Sequence, residues 1–500
     1  MRMNREMNTT ALLGPGGIVV MGIYLTSLIV VGLAGRLARR EDSMADFYLG
    51  NRGIGLFVLF LTLYATQYSG LTLIGFVGNV YRTGYFFLVS VTFSMSIIGA
   101  YLIYAPKFHR LSKRHRYITP GDYLQHRFGS TALTVLATTL YIIALGNYIL
   151  TNLKAIGYIV VASTGGHVTF LQGVIALSLI MVIYESLGGL RSVAWTDAIQ
   201  GVLLLIGCIG IFGVINHQYG GLSAVADNLM SSRPDFWQPP NGGQKRLWLS
   251  TLVIVFFGPS IYPHAIQRIF AARDQQTLKR AFQIMVFMPL FTTFFMFVVG
   301  LVGASQFPGL DRQGSEQVAL LLLNDIAERL PGIRILLVLF LSAAVAAIMS
   351  TVDSALLAIS SLFTQDLYRR LRPAASQSHL TAMGKVFSWM LMGVMVYLAI
   401  RLPQTLWRLT EIKLELLCQV APAIFLGVHL KSLRTQAVLS GLVVGTLIAL
   451  ALMVATLAGA PLSAKPWGIH AGVWGLAANF LTIGFVSLWR RIGVADSSAD

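Results

Sequence analysis

Long apolar segments separated by short polar ones repeat along almost the whole chain. A helix that crosses a bilayer needs about 20 consecutive, mainly apolar residues, and windows of that length fit thirteen segments. Their approximate bounds are 13–35, 54–79, 84–105, 131–160, 168–186, 197–215, 247–267, 282–304, 335–363, 383–400, 405–429, 435–458 and 469–489. The pattern predicts an all-α, polytopic membrane protein with about 13 transmembrane helices.

Two of these segments carry residues that interrupt a membrane helix. The second contains the polar run 66–69 before Gly70, and the seventh contains Gly258, Pro259 and Pro263. Proline lacks an N–H group and clashes with the preceding turn, so neither segment is expected to stay helical throughout. Backbone groups freed at membrane depth need protein, water or ions as partners.

The two interruptions lie five segments apart, which predicts an internal repeat. Interrupted helices at corresponding positions of two halves point to the binding site of an inverted-repeat transporter. Residues 54–215 and 247–429 are then the two halves, and five segments in each half give them opposite orientations. Within one transmembrane domain of 1–500, segment 13–35 is an extra first helix and 435–489 supplies two extra C-terminal helices.

The ninth segment carries polar residues that packing alone does not explain. On a helix, Ala347, Ser350, Thr351 and Ser354 share one face, with Asp353 beside them. An ionised carboxylate at membrane depth costs about 2.5–3.5 kcal/mol or more, which favours a cation site. Two alternatives stay open: the hydroxyls bond back to carbonyls four residues earlier, or Asp353 forms a structural ion pair with Lys154.

Composition supports the membrane assignment. Charged residues make up 11% of the chain and the mean hydropathy is +0.70, whereas soluble domains contain about 25% charged residues. The formal charge of +17 is spread between apolar segments and so favours a topology signal over nucleic-acid binding. With the N-terminus outside and the C-terminus inside, the inner segments hold about twice as many Lys and Arg as the outer ones. The basic run 107–116 is expected to contact lipid headgroups.

Other function classes find little support. Cys208 and Cys418 lie within apolar segments and indicate neither a disulfide framework nor a metal motif. No segment holds a nucleophile–base pair or a metal-ligand cluster, which argues against an enzyme. A nutrient sensor would need a partner chain, because the residues after Trp489 are too few for an output domain.

Four motifs together resemble the sodium:solute symporter family, which includes sodium/proline, sodium/pantothenate and sodium/glucose symporters. They are DFYLGNR at 46–52, ATQYSG at 65–70, YESLGGLRSVAWTDAIQG at 184–201 and STVDSALLAISSLFTQDLY at 350–368. The resemblance implies a leucine-transporter-like five-plus-five inverted repeat and sodium as the coupling ion, with no other cofactor or metal. It also implies a small organic solute as substrate and a multi-pass cell-membrane protein, in a bacterium the inner membrane, that is a monomer or a weak oligomer.

The resemblance also implies ion sites by position. The main sodium site takes oxygens from Ala65, Tyr68, Ala347, Ser350 and Thr351. A second cation or proton site takes oxygens from Asp197, Asp353 and Ser354, with Ser350 shared. Members with that second site often have Ser at position 353, so the carboxylate of Asp353 is a departure that fits either a proton or a tightly held cation.

Substrate-lining residues are implied more loosely. They are Gln67, Ser69, Thr72, Tyr141, Asn147, Phe257, Ser260, Tyr262 and Gln419. The run LLCQVAPAIFLGV at 416–428 resembles monocarboxylate and pantothenate carriers, which favours a carboxylate-bearing solute such as a monocarboxylate, a pantothenate-like compound or an amino acid. A proton-coupled carrier or a sensor remains the alternative. Gln67 and Asn147 are also compatible with simple helix-to-helix bonds, and Glu411, Lys413 and Glu415 with a charge cluster at the outer mouth.

Overall fold

The computed structural model describes residues 13–38, 41, 43–69, 71–402, 406–457 and 465–496, and these fold almost entirely into helices. The first eleven helices are α1 Pro15–Leu37, α2 Met44–Leu49, α3 Leu56–Gln67, α4 Phe76–Thr83, α5 Ser90–His115, α6 Pro120–Phe128, α7 Thr131–Ser163, α8 Phe170–Gln218, α9 Gly221–Ser232, α10 Gly242–Phe257 and α11 Pro263–Ala271. The others are α12 Gln275–Met285, α13 Met288–Gln306, α14 Arg312–Ser315, α15 Val318–Arg329, α16 Arg334–Leu362, α17 Arg369–Leu371, α18 Gln377–Arg401, α19 Leu406–Leu417, α20 Ala421–His429, α21 Thr435–Leu457 and α22 Ala471–Asp496. Short π-helical turns cover Leu71–Gly75 and Phe363–Tyr368, and short 3₁₀ turns include Pro259–Ile261 and Cys418–Val420.

The predicted apolar segments all fall on helices, as far as the described residues reach. Among those residues, 10 helices are long and apolar enough to cross a membrane, or 11 if the bent pair α10 and α11 counts as one span. Two of the ten are much longer than one span: Thr72–His115 has 44 residues and Phe170–Gln218 has 49. The second holds the two predicted segments 168–186 and 197–215. The all-α, multi-span fold is therefore confirmed.

A single glycine divides the long helix α8. Gly189 has φ 60° and ψ −152°, a backbone conformation that essentially only glycine adopts. A Cβ atom at Gly189 would lie 2.4 Å from the carbonyl oxygen of Phe47. Arg191 follows on the same helix, with Nη2 2.8 Å from Oδ1 of Asp46. The two predicted segments thus meet at a kink, and the ion pair between Arg191 and Asp46 connects this kink to α2. The sequence suggested an inner loop at the position of the kink.

Helix α16 forms the centre of the protein. It packs against α1, α3, α7, α8, α11 and α18, and every residue from Phe340 to Leu362 is buried. A helix that is apolar on all sides is expected to lie inside a bundle. The hydroxyl groups on this helix therefore face other helices, where each needs a polar partner or a ligand.

Candidate functional site

Helix α3 ends inside the core instead of continuing to the far side. Its last residue is Gln67, and Tyr68 has extended backbone angles of φ −98° and ψ 102°. Helical structure resumes at the π turn Leu71–Gly75 and continues into α4. Gly70, which the sequence places at this interruption, lies outside the described residues.

The end of α3 presents backbone oxygens to the core. The last four carbonyl groups of a helix have no partner within it, and that of Ala65 is among them. The carbonyl oxygen of Thr66 accepts a hydrogen bond of 3.1 Å from Oη of Tyr148, on α7. This first predicted interruption is thus present and offers oxygens to a neighbouring group.

The second predicted interruption is also present. Helix α10 ends at Phe257, α11 begins at Pro263, and the two helices meet at an angle of 49°. Two tyrosines of α5 bond to the carbonyl groups freed there: Oη of Tyr101 donates to Pro259 O at 3.2 Å, and Oη of Tyr104 donates to Ser260 O. Side chains of the protein therefore satisfy these backbone groups at membrane depth.

A cavity of about 100 Å³ lies between the two interruptions. Its aromatic wall consists of Phe76, Phe93, Tyr101, Tyr148, Tyr262 and Trp407. Its polar lining consists of Thr66, Gln67, Ser69, Thr72, Ser94, His264, Thr410 and Lys413.

Four of the predicted substrate residues line this cavity, namely Gln67, Ser69, Thr72 and Tyr262. Five do not, namely Tyr141, Asn147, Phe257, Ser260 and Gln419. The four that line the cavity all lie at the two interruptions. Phe257 and Ser260 lie at the second interruption as well, so a position at an interruption does not by itself place a residue in the lining.

The structure gives the five absent residues other neighbours. Phe257 packs against Phe425 and Phe480, with ring centroids 5.4 and 5.9 Å away. Ser260 Oγ donates back to Phe256 O at 2.7 Å. Tyr141 and Asn147 lie on stretches of α7 outside the cavity lining.

Gln419 connects the helix that carries it to the C-terminal helices. Its Nε2 donates to Gly472 O at 2.9 Å, and its backbone oxygen accepts from Asn479 Nδ2 at 2.8 Å. Because α21 and α22 pack on this side of α19, the Gln419 side chain is directed away from the cavity.

The residues predicted to bind the main sodium ion lie on two helices that pack together. Ala65 and Tyr68 are at the end of α3, and α3 contacts α16, which carries the other three. Thr351 Oγ1 donates to Ala347 O at 2.9 Å, which is the back-bond considered from the sequence. A cation at this position would compete with that bond for both oxygens.

Arg268 occupies the place of the predicted second cation. Its side chain is fully buried, and Nη2 lies 2.7 Å from Oδ2 of Asp197 and 2.5 Å from Oγ of Ser354. Its Nε donates to Thr62 Oγ1 at 2.8 Å and its Nη1 to His264 O at 3.0 Å. The guanidinium group thus meets two of the predicted ligands of a second ion.

Asp197 is the acceptor at the centre of this network. Besides Arg268, the hydroxyl groups of Thr62 and Ser350 both donate to its carboxylate. Both oxygens are therefore fully engaged, as a buried charge requires. Arg268 directly follows the predicted apolar segment 247–267, a position that suggests a loop cation. Its position four residues after His264, one turn into the helix that follows the interruption, was the signal that could have placed it inside.

Asp353 behaves differently from Asp197. It is fully buried, and neither carboxylate oxygen has a hydrogen-bond partner among the described residues. Lys154, the partner considered from the sequence, donates instead to Leu402 O at 2.7 Å. Asp353 is therefore a buried carboxylate next to the Asp197 network that takes no part in it.

Lys413 was expected in a charge cluster with Glu411 and Glu415, but the structure separates the three. Glu411 Oε1 lies 2.6 Å from Nζ of Lys465, and Glu415 Oε1 lies 2.9 Å from Nδ1 of His470. Residues two apart on a helix face opposite sides. Lys413 consequently lines the cavity, while both glutamates face away from it.

Comparison with known proteins gives consistent matches. The model of the Sodium:solute symporter family matches residues 47–445. The sodium/pantothenate symporter of Haemophilus influenzae is 26% identical over 395 residues, covering 78% of this chain and 80% of that protein. The uncharacterized symporter YodF of Bacillus subtilis is 24% identical over 485 residues, covering 95% of this chain and 92% of its own length.

A solved structure has the same fold. It is the substrate-bound, outward-open state of a Na⁺-coupled sialic acid symporter, with a TM-score of 0.76 and 20% sequence identity. The match covers 94% of this chain and 98% of that chain. At this level of identity the likeness concerns the fold alone.

Proposed function

This chain belongs to the sodium:solute symporter family, and from that premise we propose that it is a sodium-coupled secondary active symporter that imports a small carboxylate-bearing solute. The candidate solutes are monocarboxylates, pantothenate-like compounds and amino acids. One observation carries the proposal: two interrupted helices, α3 and the α10–α11 pair, face a single cavity with unpaired polar groups. In this architecture the solute binds between the interruptions and the ion binds beside them.

The proposed topology follows the sequence. Thirteen spans place the N-terminus outside and the C-terminus inside the cell membrane. The kink at Gly189 supports dividing α8 into two spans. Residues 54–215 and 247–429 form the two halves of the inverted repeat, with 13–35 and 435–489 outside it.

The sodium ion binds between the end of α3 and the middle of α16. Its ligands are carbonyl and hydroxyl oxygens of Ala65, Tyr68, Ala347, Ser350 and Thr351. Oxygen donors suit a hard monovalent cation and would not select a transition metal. Bound sodium holds the two helices together and completes the solute site, because Tyr68 and Gln67 also line the cavity. Preferential binding to the outward-open state then couples the two gradients.

We further propose that one sodium ion is transported in each cycle. The second cation position, at Asp197 and Ser354, holds the guanidinium group of Arg268. A tethered cation there neutralises Asp197 and occupies two of the three predicted ligands of a second ion, so that Asp353 is the one not bonded to Arg268.

A proton-coupled carrier is the second candidate, and Asp353 is the observation that favours it. A buried carboxylate that has no hydrogen-bond partner among the described residues is a natural proton acceptor in a membrane carrier. In that case Asp353, together with Asp197, couples transport to a proton gradient and sodium has no effect.

Uptake into proteoliposomes tests the function. Purified protein is reconstituted, a sodium gradient or a proton gradient is imposed, and uptake of radiolabelled acetate, lactate, pantothenate, proline and myo-inositol is measured. We expect sodium to drive accumulation of at least one carboxylate. A sensor would accumulate none, and a proton-coupled carrier would respond to the proton gradient alone.

The double substitution Ser350→Ala with Thr351→Ala tests the ion site. It should abolish sodium-stimulated uptake while the protein still inserts and folds. The matched control is Thr92→Ala with Thr139→Ala, since both hydroxyls are exposed and bond back to their own helices. Unchanged sodium dependence in the first variant would contradict the site.

A further inference from the structure

Lys413 is a charged side chain buried inside the cavity. It is 2% exposed, and its Nζ lies 3.5 Å from the ring centroid of Tyr148 and 5.7 Å from that of Tyr262. These distances are within the range of about 6 Å for cation–π contacts. Of the described residues that line the cavity, it is the only Lys, Arg, Asp or Glu.

The described part of the chain provides no anionic partner for this ammonium group. None of its carboxylates lies within ion-pair distance of Lys413 Nζ. The nearest acids in sequence, Glu411 and Glu415, are bonded to Lys465 and His470 on the other side of α19. A buried charge without an opposite charge is costly, and in membrane proteins such a residue marks a functional partner.

The other polar atoms of the cavity also favour an anion. Gln67 Nε2, a donor, has no hydrogen-bond partner among the described residues. The Tyr148 hydroxyl, in contrast, already donates to Thr66 O. The described lining residues thus offer an unused amide donor and one ammonium group but no carboxylate, which makes the cavity complementary to a negatively charged ligand.

We propose that Lys413 binds the anionic group of the transported solute, so that the substrate class is small organic monoanions with a carboxylate group. One ammonium group balances one negative charge, which favours a monoanion over a phosphate dianion. The ring of Tyr148 holds Nζ in place, and the aromatic wall receives the apolar part of the solute. This inference rests on the proposed transport function and assigns the substrate class of the same cavity.

Ligand-dependent thermal stabilisation of the purified full chain tests the proposal. The probes are acetate, lactate and pantothenate as monoanions, proline as a zwitterion, and myo-inositol as an uncharged solute, each with and without sodium. Chloride is replaced by sulfate in a parallel series, so that an effect of chloride alone is seen. The variants are Lys413→Gln and Lys413→Arg, with Lys465→Gln as the matched control because Lys465 pairs with Glu411 outside this cavity.

We expect at least one organic monoanion to stabilise the wild type. Lys413→Gln should weaken its apparent affinity about tenfold or more, Lys413→Arg should retain part of it, and Lys465→Gln should leave it unchanged. Stabilisation by sodium alone should survive in Lys413→Gln, since the proposed ion ligands are untouched.

Several outcomes would overturn the assignment. They are stabilisation by myo-inositol alone, full stabilisation by chloride alone, equal anion affinity in Lys413→Gln, and no effect of any anion on the wild type. Failure of the transport function has a different signature. In that case anions would still bind in a Lys413-dependent way, but sodium would change neither stability nor uptake.

Discussion

The guanidinium group of Arg268 and the carboxylate of Asp197 form a fully buried ion pair, with Nη2 and Oδ2 2.7 Å apart. Arg268 comes from α11, directly after the second interruption, and Asp197 from the middle of α8. Ser350 and Ser354 of α16 bond to the same pair. The pair therefore ties the first proposed half of the protein to the second.

Breaking this ion pair from either side should be strongly destabilising. Removal of one partner leaves the other charge buried and uncompensated, at a cost of about 3–5 kcal/mol. We expect Arg268→Gln and Asp197→Asn each to lower the thermal unfolding midpoint of the purified protein markedly. The double variant should recover part of the loss, because it removes both charges.

A double-mutant cycle measures this coupling. The unfolding midpoints of wild type, both single variants and the double variant are compared in the same detergent. The control pair is Arg233→Gln with Asp235→Asn, an ion pair of similar length (3.0 Å) that is exposed to solvent and should contribute little. Strictly additive losses at Arg268 and Asp197 would contradict the coupling.

A side chain at Gly189 should disrupt the kink of α8. The Cβ atom of Gly189→Ala would lie 2.4 Å from Phe47 O, in a backbone conformation that alanine avoids. We expect a lower yield of folded protein and a lower unfolding midpoint. Gly213→Ala on the same helix is the control, because nothing lies within 4 Å of its added Cβ and alanine favours helix. Equal stability of the two variants would show that the kink is not required.

Local properties of the sequence were sufficient for much of this architecture. The length of the apolar segments predicts the helices, and the residues at 66–70 and 258–263 predict both interruptions. These features involve residues that are close together in the sequence, so they can be recognised without knowledge of the tertiary fold. Gln67, Ser69, Thr72 and Tyr262, which line the cavity, lie at these interruptions, but Phe257 and Ser260 lie there too and do not line it.

Residues whose role depends on how helices face each other could not be placed. From the sequence Arg268 resembles a loop cation, because the contacts of α11 with α8 and α16 are not known at that stage. Lys413 resembles a member of an acidic cluster until the orientation of α19 is known. Gln419 was assigned to the solute by resemblance, whereas α22 takes up its hydrogen bonds. For Lys413 the sequence held a usable signal, namely its position two residues from each glutamate on a helix, as it did for Arg268 in its position one turn after His264.

Neutralising Asp353 should not destabilise the protein. Its carboxylate has no hydrogen-bond partner among the described residues, so the isosteric Asp353→Asn removes a buried charge and no bond. We expect an unchanged or higher unfolding midpoint and preserved sodium-driven uptake. Loss of uptake in a folded variant, with a proton gradient as the active driving force in wild type, would support the proton-coupled alternative instead.

Asp366 provides the matched control for this substitution. Its two carboxylate oxygens accept bonds from Thr119 at 2.6 Å and Thr138 at 2.9 Å. Asparagine offers one acceptor oxygen where aspartate offers two. Asp366→Asn should therefore lower stability, by about 1–3 kcal/mol if a buried hydroxyl loses its partner.

Transport of one sodium ion with one organic monoanion should be electrically neutral. An inside-negative potential then gives no direct driving force, and the sodium concentration gradient alone sets the accumulation. Uptake of the preferred monoanion into proteoliposomes is measured with and without a potassium diffusion potential of known size. A second sodium ion would add an electrical driving force of about 2.3 kcal/mol per 100 mV. This corresponds to roughly 50-fold more accumulation of the solute at equilibrium. Such a response to the potential would contradict the role of Arg268 as a substitute cation.

The sequence predicts solute binding for both Gln67 and Gln419, and we expect these two residues to differ in function. Gln67 lines the cavity, and its Nε2 has no partner in the part of the chain that the structure describes. Gln419 Nε2, in contrast, donates to Glu415 O at 3.1 Å and Gly472 O at 2.9 Å. We expect Gln67→Leu to raise the KM for the solute with little change in the unfolding midpoint, because its Nε2 donates no hydrogen bond to the described residues. Gln419→Leu should lower the midpoint, because two buried carbonyl groups lose a donor, and should leave the KM unchanged.

Each variant is the control for the other, since the substitution is identical. A raised KM in Gln419→Leu with normal stability would place residue 419 at the solute after all.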